Sequence, residues 1–306
     1  MDLSGLVVKM IIFVVLMVIG YVCAKTGVAG AEFTKTTSKL VINVFMSATI
    51  INSVLNTELS LTGAELGRIM LVLSAALVLC YALAALAAKL LPVEKEHGAL
   101  FELLAAVPNN MFIALPVAEE LFGSVAVFYC SLSCIPYNLI LYTYGVWRLK
   151  SGGGERGIKL RDIISVPLVA TLAALLIFLV KPPVPAVARE LIGSLSGATM
   201  PLSMIVIGSS LGSVSLLDAF KNWWLYLSSF LRLLLAPALV WLVCSRLTAD
   251  PVLLMTAVII AASPGAVVVT VLTIQYGRDA VFTSEGILHS TVLSMLTIPA
   301  IVWLLI

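Results

Sequence analysis

The sequence predicts an all-α membrane protein in which ten transmembrane helices form two inverted five-helix repeats. Composition, the spacing of apolar stretches and a short internal repeat predict it. Of 306 residues, 61% are apolar and only 11% are charged, whereas a soluble domain has about 45–50% apolar and about 25% charged residues. So few charges cannot cover a soluble surface, which excludes an ordinary soluble enzyme, a disordered chain and a nucleic-acid binder.

Ten apolar stretches are long enough to be membrane spans, since a helix needs about 20 apolar residues to cross a bilayer. The first is longer than the apolar region of a typical signal peptide, so we expect it to remain as a membrane helix. The predicted spans are residues 3–24, 38–56, 67–91, 98–121, 124–148, 162–181, 189–212, 222–246, 251–275 and 279–306.

Lysine and arginine residues are unevenly divided between the two sides that ten spans define. Twelve lie in the connections of one side and four in those of the other. Because connections rich in Lys and Arg stay in the cytoplasm, we expect both termini to be extracytoplasmic and the central loop to be cytoplasmic. The chain is therefore predicted to be a multi-pass protein of the cell membrane.

A Gly-rich, charged loop from Lys150 to Asp162 divides the predicted spans into two groups of five. We predict a first repeat at 1–150, a cytoplasmic linker at 151–161 and a second repeat at 162–306. With an odd number of spans in each repeat, the second inserts upside down relative to the first.

Short matches between the two halves support the repeat. Residues 122–128 resemble residues 276–282 at an offset of 154, and the same offset aligns Met46 with Met200. Coincidence among apolar residues is the alternative, but matches at one offset between corresponding spans favour an inverted-repeat transporter.

The fourth predicted span is interrupted in its middle by Pro108, Asn109 and Asn110. Proline removes a backbone donor and clashes with the preceding turn. Irregular backbone at this depth is tolerated only where it is buried in protein or lines a watery cavity. We predict an unwound crossover here, with an ordinary proline kink as the alternative.

The ninth predicted span is interrupted at the corresponding place by Ser263, Pro264 and Gly265. Two broken helices in corresponding positions of two repeats indicate a binding site near the membrane midplane. Helix N-termini that begin near Asn109 and Gly265 would present partial positive charge, which suits a carboxylate or another anion. We therefore predict substrate-binding residues at both breaks.

Two polar residues of the second span, Asn43 and Ser47, are further candidates for substrate contact. Polar side chains also hold membrane helices together through hydrogen bonds. Helix packing is an equal alternative for both residues.

A few ionisable or amide side chains inside the later spans are candidates for energy coupling. Glu285 and His289 are four residues apart, so they share a helix face and could exchange a proton. Arg232 has three open roles: neutralising a substrate anion, pairing with an acid such as Glu102, or anchoring helices. Gln275 offers one amide oxygen to a cation, which is weak evidence.

No metal, cofactor or enzyme active site is predicted. Ser263 has no obvious base, and neither His97 nor His289 lies in a ligand motif. The expected partners are a small solute and the lipid bilayer, with no nucleic acid.

Several stretches resemble the auxin efflux carrier family, which includes bacterial malate permeases and plant auxin exporters of the PIN type. The sequence PNN-x-x-x-A-L-P at 108–116 resembles PNT-x-x-x-G-I-P in the family's fourth helix. The other stretches, in helices seven to ten, are 200–211, 232–237, 263–277 and 290–299. The resemblance covers essentially the whole chain, and the fourth- and ninth-helix motifs are its most specific parts.

The resemblance implies the bile-acid-symporter-like fold. A scaffold of helices one, two, six and seven would face a transport domain of helices three to five and eight to ten. Transport would be elevator-like, and homodimers would form through the scaffold. Asn109 and Asn110 would contact a substrate carboxylate, while Pro108 and Pro264 would shape the crossover.

The sequence departs from the family pattern at Asn110, where the family has Thr, at Ala114, where it has Gly, and at Ser47, where many members have Pro. These departures favour another small organic anion over auxin itself. We predict a secondary transporter of small organic anions, such as auxin-like or dicarboxylate acids. The alternatives are a proton- or sodium-coupled carrier of another solute, and a channel or sensor on the same fold.

Overall fold

The protein is all-helical in a computed structural model that describes residues 3–55, 61–94, 96–150, 166–212 and 219–305. These residues form α-helices and four π-helical turns, and no β-strand occurs among them. The predicted linker at 151–161 lies outside the described residues.

The elements follow one another along the chain. They are α1 (Leu3–Lys25), α2 (Ala31–Leu40), π1 (Val41–Phe45), α3 (Met46–Leu55), α4 (Gly63–Leu90), α5 (Gly98–Ala106), π2 (Asn110–Ala114), α6 (Leu115–Phe122), α7 (Ser124–Ile140), π3 (Leu141–Gly145), α8 (Val146–Lys150), α9 (Val166–Val180), α10 (Ala186–Gly197), α11 (Thr199–Gly212), α12 (Trp223–Phe230), π4 (Leu231–Leu235), α13 (Ala236–Cys244), α14 (Pro251–Ala262), α15 (Val267–Gln275) and α16 (Ala280–Leu305).

The described residues include six helical stretches that are long and apolar enough to cross a membrane. This confirms a multi-pass membrane protein. The fourth and ninth predicted spans are not among the six because each is broken into two shorter helices. The six stretches are Glu32–Leu55, Gly63–Leu90, Ser124–Lys150, Ala186–Gly212, Trp223–Cys244 and Ala280–Leu305. The count of ten spans stays a prediction.

The second span begins earlier than its apolar stretch predicts. The helix starts with α2 at Ala31 rather than at residue 38. The α2 residues are mostly polar, so hydropathy does not detect them. Thr34 of α2 lies 2.6 Å, oxygen to oxygen, from Ser209 of α11, which attaches this turn to the bundle.

Helices α1 and α11 pack at close range because glycines line their contact. A Cβ at Gly208 would lie 1.9 Å from the Met17 carbonyl oxygen, and one at Gly20 would lie 2.1 Å from the Ile205 oxygen. Small residues at a helix interface allow such backbone approach in membranes. On the other side of this pair, α3 packs against α9 and α10.

The broken helices lie among α4, α7, α12, α13 and α16. Helix α4 packs against both α5 and α14, the first halves of the two broken spans. The residues of α5 and α14 are almost entirely buried, for example Leu103 and Ile260. The breaks therefore lie inside protein, as unwound membrane backbone requires.

Backbone conformation repeats between the two halves. Four described residues have positive φ, namely Gly27 (81°), Gly123 (69°), Lys181 (49°) and Gly277 (65°). They form two pairs at the 154-residue offset that relates the sequence matches. Each pair follows corresponding helices, so a residue with positive φ ends the first and sixth spans and the fourth and ninth spans.

Candidate functional site

The two breaks meet in a short antiparallel pairing between Pro108 and Gly265. The Asn109 amide donates to the Pro264 carbonyl at 2.8 Å, and the Ala266 amide donates to the Val107 carbonyl at 3.2 Å. Because proline has no amide hydrogen, each break leaves carbonyls without a partner in its own helix. The pairing satisfies part of this backbone between the two spans and brings four helix ends to one place.

Asn109 begins the second half of the fourth span. Its side-chain oxygen accepts from the Phe112 amide at 3.3 Å, so it caps the helix that continues through π2 and α6. The side chain is 5% exposed. Since its oxygen is used by the cap, the amide nitrogen remains as a donor, and it has no protein partner among the residues that the structure covers.

Asn110 is held by α7. Its amide nitrogen donates to the Ser133 hydroxyl oxygen at 2.7 Å, and it also approaches the Cys134 sulfur at 3.9 Å. The side-chain oxygen is buried and has no protein partner within the described ranges. A buried acceptor without a partner is costly, so this oxygen is a point where a solute or water can bind.

The second break is held by α16. The Gly265 amide donates to the Ser290 hydroxyl at 3.1 Å. Ser263 donates through its own hydroxyl to the Ile259 carbonyl at 2.8 Å, within its helix. The Ser263 hydroxyl hydrogen is therefore used within its own helix, and its contact with a substrate stays a prediction.

Arg232 joins the ends of both first halves. Its guanidinium donates to the Ala105 and Ala106 carbonyls at 3.4 and 2.9 Å, and to the Ile260 and Ser263 carbonyls at 3.0 and 2.7 Å. The side chain is completely buried. Since a helix C-terminus carries partial negative charge, a cation placed there is stabilising. Of the three open roles, this geometry matches the anchoring of helices.

Glu102 is not the partner of Arg232, which corrects one of the predicted roles. Glu102 accepts from Tyr144 at 2.5 Å and from Arg148 at 2.7 Å. Arg148 lies in α8, which packs beside α5. A buried carboxylate needs a paired charge, and here the nearby basic residue at the helix end supplies it.

The remaining coupling candidates are dispersed. His289 is buried, and its Nδ1 lies 2.8 Å from the Ser229 hydroxyl, while its Nε2 lacks a partner in the described part of the chain. Gln275 lies at the end of α15 and lines a separate cavity beside Tyr142. The structure therefore does not bring His289 and Gln275 together with the two asparagines.

The two polar candidates of the second span are Ser47 and Asn43. Ser47 donates to the Ile42 carbonyl at 3.4 Å within its own helix, and Asn43 is exposed in π1. These observations match the packing interpretation for Ser47 more closely than substrate contact.

A narrow cleft of about 30 Å³ lies beside the crossover between α1, α11, the π2–α6 helix and α16. Ile113 lines it three residues beyond Asn110, and Met204 lines it next to Ser203. The lining is apolar apart from Ser294.

Two serines near the crossover were not among the predicted substrate-binding residues. Ser133 orients Asn110 through their hydrogen bond. In the sequence it is one of several small residues of an apolar helix, so its role is seen only from this contact. Ser203 is completely buried on α11, and its hydroxyl has no partner among the described residues. The sequence shows Ser203 as a polar residue of the seventh span, but helix packing and substrate contact were equal explanations for it.

Helix ends of both polarities meet at the crossover. Two helix N-termini begin near Asn109 and Ala266. The buried Arg232 guanidinium lies at the C-terminal ends of α5 and α14, where its positive charge offsets their partial negative charge. Within the described ranges, no carboxylate accepts from that guanidinium.

The family model described as "Membrane transport protein" matches residues 6–302. The chain belongs to the membrane transport protein family. This confirms the resemblance to auxin efflux carriers, which belong to this transport family. Family membership indicates a transporter rather than an enzyme.

Two relatives are similar over nearly their whole length. One is an uncharacterised transporter of Methanothermobacter thermautotrophicus, 28% identical over 93% of each chain. The other is an uncharacterised transporter of Methanocaldococcus jannaschii, 25% identical over 97% of each chain.

Proposed function

We propose that this protein is a secondary carrier of small organic anions, with the substrate carboxylate bound where the two broken helices meet. The observation that carries the proposal is the pairing of the Pro108 and Gly265 breaks beside buried asparagine amides. The free Asn109 amide nitrogen and the helix N-termini would bind the carboxylate. Both auxin-like and dicarboxylate acids fit this chemistry.

An inverted repeat of ten spans is part of the proposal. Support comes from the positive-φ pairs and from reciprocal packing, since α1 packs against α11 as α9 packs against α3. With ten spans, both termini would lie on one side, and the distribution of Lys and Arg favours the outside for them and the cytoplasm for the central loop.

We further propose an elevator-type movement in a homodimer. Helices α1–α3 and α9–α11 would form the scaffold, and the remaining helices would carry the crossover. The cleft supports this division because α1 and α11 line one of its walls and π2, α6 and α16 line the other. Elevator movement would open this cleft alternately to each side.

Coupling to protons is a secondary proposal. It is supported by the buried His289, whose Nε2 has no protein partner among described residues. Glu285, Arg232 and Gln275 remain candidates for the same role, with sodium as the other possible ion.

The test of function is uptake of labelled organic acids into proteoliposomes by wild type and Asn109→Asp. Aspartate keeps an oxygen to cap the Phe112 amide, but it replaces the free donor with a negative oxygen. We expect saturable uptake with counterflow in wild type and a loss of at least about tenfold in the variant. Currents that do not saturate would indicate a channel instead.

Asn222→Asp is the matched control. Asn222 caps α12 through its side-chain oxygen, which accepts from the Trp224 amide at 3.0 Å, away from the crossover. This variant should transport like wild type. Normal transport by Asn109→Asp would refute the site, and the absence of transport of every acid by wild type would refute the carrier function.

A further inference from the structure

The hydrogen bonds around the two crossover asparagines determine which end of each amide is available to a solute. An asparagine amide can be turned over without changing its shape, so its orientation must be argued from its partners. At this site, the hydrogen-bond partners of each asparagine are compatible with only one orientation of its amide.

Ser133 determines the orientation of Asn110. The Ser133 hydroxyl donates its hydrogen to the Cys130 carbonyl at 2.6 Å. Its oxygen can then only accept from Asn110, so the Asn110 nitrogen must face Ser133, at 2.7 Å. The Asn110 oxygen faces away from Ser133 and is the buried atom that lacks a protein partner.

The backbone determines the orientation of Asn109. The Phe112 amide can only donate, so the Asn109 oxygen must face it, at 3.3 Å. The nitrogen of Asn109 is consequently the free end. The two adjacent asparagines thus offer a solute opposite groups, a donor from Asn109 and an acceptor from Asn110.

We propose that Asn110 is a specificity-determining residue that selects organic acids with a hydrogen-bond donor next to the carboxylate, such as 2-hydroxy acids. This rests on the proposed carrier function and deepens it. A carboxylate has no hydrogen to give to the Asn110 oxygen, so the carboxylate binds the Asn109 nitrogen and the adjacent hydroxyl donates to Asn110. The buried Ser203 hydroxyl, on the helix that packs against π2, is a further group for the carboxylate.

The departure from the family motif has a physical meaning in this arrangement. A Thr hydroxyl can either donate or accept, so it accommodates several substrates. Asn110, held by Ser133, can only accept from the solute. A 2-keto acid presents an oxygen to this acceptor and is disfavoured, because two acceptors then face each other without a hydrogen.

Two series of acids test the inference, since they differ only at the carbon next to the carboxylate. The first is lactate, propionate and pyruvate, and the second is phenyllactate, phenylpropionate and phenylpyruvate. Binding is measured by the thermal shift of the purified protein at pH 7.5, where all six carboxylates are ionised. We expect the hydroxy acid to bind most tightly and the keto acid least tightly, with roughly tenfold or more between them.

Ser133→Ala separates selectivity from binding. Without Ser133 the Asn110 amide can turn over, so the preference for hydroxy over keto acids should fall to near equality, while the unsubstituted acid binds as before. Ser131→Ala is the control, because Ser131 is an equally buried serine on α7 that donates to the Phe128 carbonyl. It should keep the preference of wild type.

A measurement without substrate tests the Asn110–Ser133 contact itself. Asn110→Ala should lower the melting temperature less in the Ser133→Ala background than in wild type, because the two residues share one hydrogen bond. Strictly additive effects would overturn the inference, as would a keto acid that binds as tightly as its hydroxy acid. If none of the six acids binds or is transported, the substrate class fails together with the proposed function.

Discussion

At the scale of single residues, Arg232 holds the crossover together. A buried arginine in a membrane protein pairs with an acid or with backbone carbonyls, and here four carbonyls at the ends of α5 and α14 are its partners. The guanidinium presents several donors in one plane, which allows it to reach both helix ends at once. A lysine has a single side-chain nitrogen and could not donate to all four carbonyls.

Arg232→Met tests this anchoring role. Methionine has a similar length but no donors, so the carbonyls of both helix ends lose their partners, at about 1–3 kcal/mol for each unpaired group. We expect a clear fall in the melting temperature and a partial recovery with added methylguanidinium. Arg189→Met is the control, since Arg189 is exposed and donates to a single carbonyl, that of Leu55. A variant as stable as wild type would contradict the anchoring role.

A second residue-scale contact joins the starts of α5 and α16. His97 Nε2 lies 3.1 Å from an Asp279 carboxylate oxygen. The His97 ring stacks on the Phe282 ring, with 4.5 Å between the two ring centres. Burial alone would raise the pKa of Asp279. Hydrogen bonds from the Phe282 and Val281 amides and from His97 outweigh it and hold the pKa below its ordinary value.

The depressed pKa predicts a dependence on pH with a definite sign. A carboxyl group with a lower pKa in the folded state contributes stability above its ordinary pKa of about 3.9, and that stability is lost as pH falls through the folded pKa. Asp279→Asn should therefore remain less stable than wild type at pH 6, and the difference should shrink below pH about 4. Because Asp279 is partly exposed, the contribution is under about 1 kcal/mol. Glu94 lies 3.4 Å from His97 Nδ1 on the other side of the imidazole, and Glu94→Gln should leave the difference unchanged.

At the scale of elements, glycine decides how closely α1 and α11 pack. The backbone of each helix lies where a Cβ of the other would be, at Gly20 and Gly208. Lipid is as apolar as leucine, so close van der Waals contact rather than burial of apolar area holds such helices together. This pair would be the rigid part of the proposed scaffold.

Two glycine substitutions should have opposite effects. Gly208→Ala forces α1 and α11 apart and should cost about 1–3 kcal/mol or more. Gly67→Ala, in α4, meets no atom within 4 Å and should be neutral or stabilising by up to about 1 kcal/mol, because alanine favours a helix. Thermal unfolding of the two variants measures both. Equal effects would show that the α1–α11 approach is not a constraint.

At the scale of the whole molecule, the charge distribution predicts the orientation in the membrane. A membrane-impermeant maleimide added to whole cells should label Ala186→Cys from outside, and Lys35→Cys only after the membrane is opened. Both residues are exposed: Ala186 is the first residue of α10, and Lys35 lies in the polar helix α2. The background is Cys23→Ala, because the other four cysteines are buried. The reverse pattern would invert the proposed topology.

The sequence by itself determined the membrane character, the positions of both breaks and the family. Each of these is a local property: the apolar content of a stretch, a proline beside asparagines or glycine, and a short motif. Such features persist whatever the helices pack against, and the family match confirms the last of them. Even so, the start of α2 was missed, since polar helical turns carry no hydropathy signal.

Only the tertiary structure decided what the breaks do. The pairing of Val107 with Ala266, the four bonds of Arg232 and the contact of Asn110 with Ser133 join different helices, most of them far apart in sequence. Sequence spacing does not specify such contacts. For this reason, the sequence left three roles open for Arg232, and the structure pairs Glu102 with Arg148 instead. The polarity of the site also depends on these contacts, because an asparagine offers either a donor or an acceptor according to the neighbour that takes its other end.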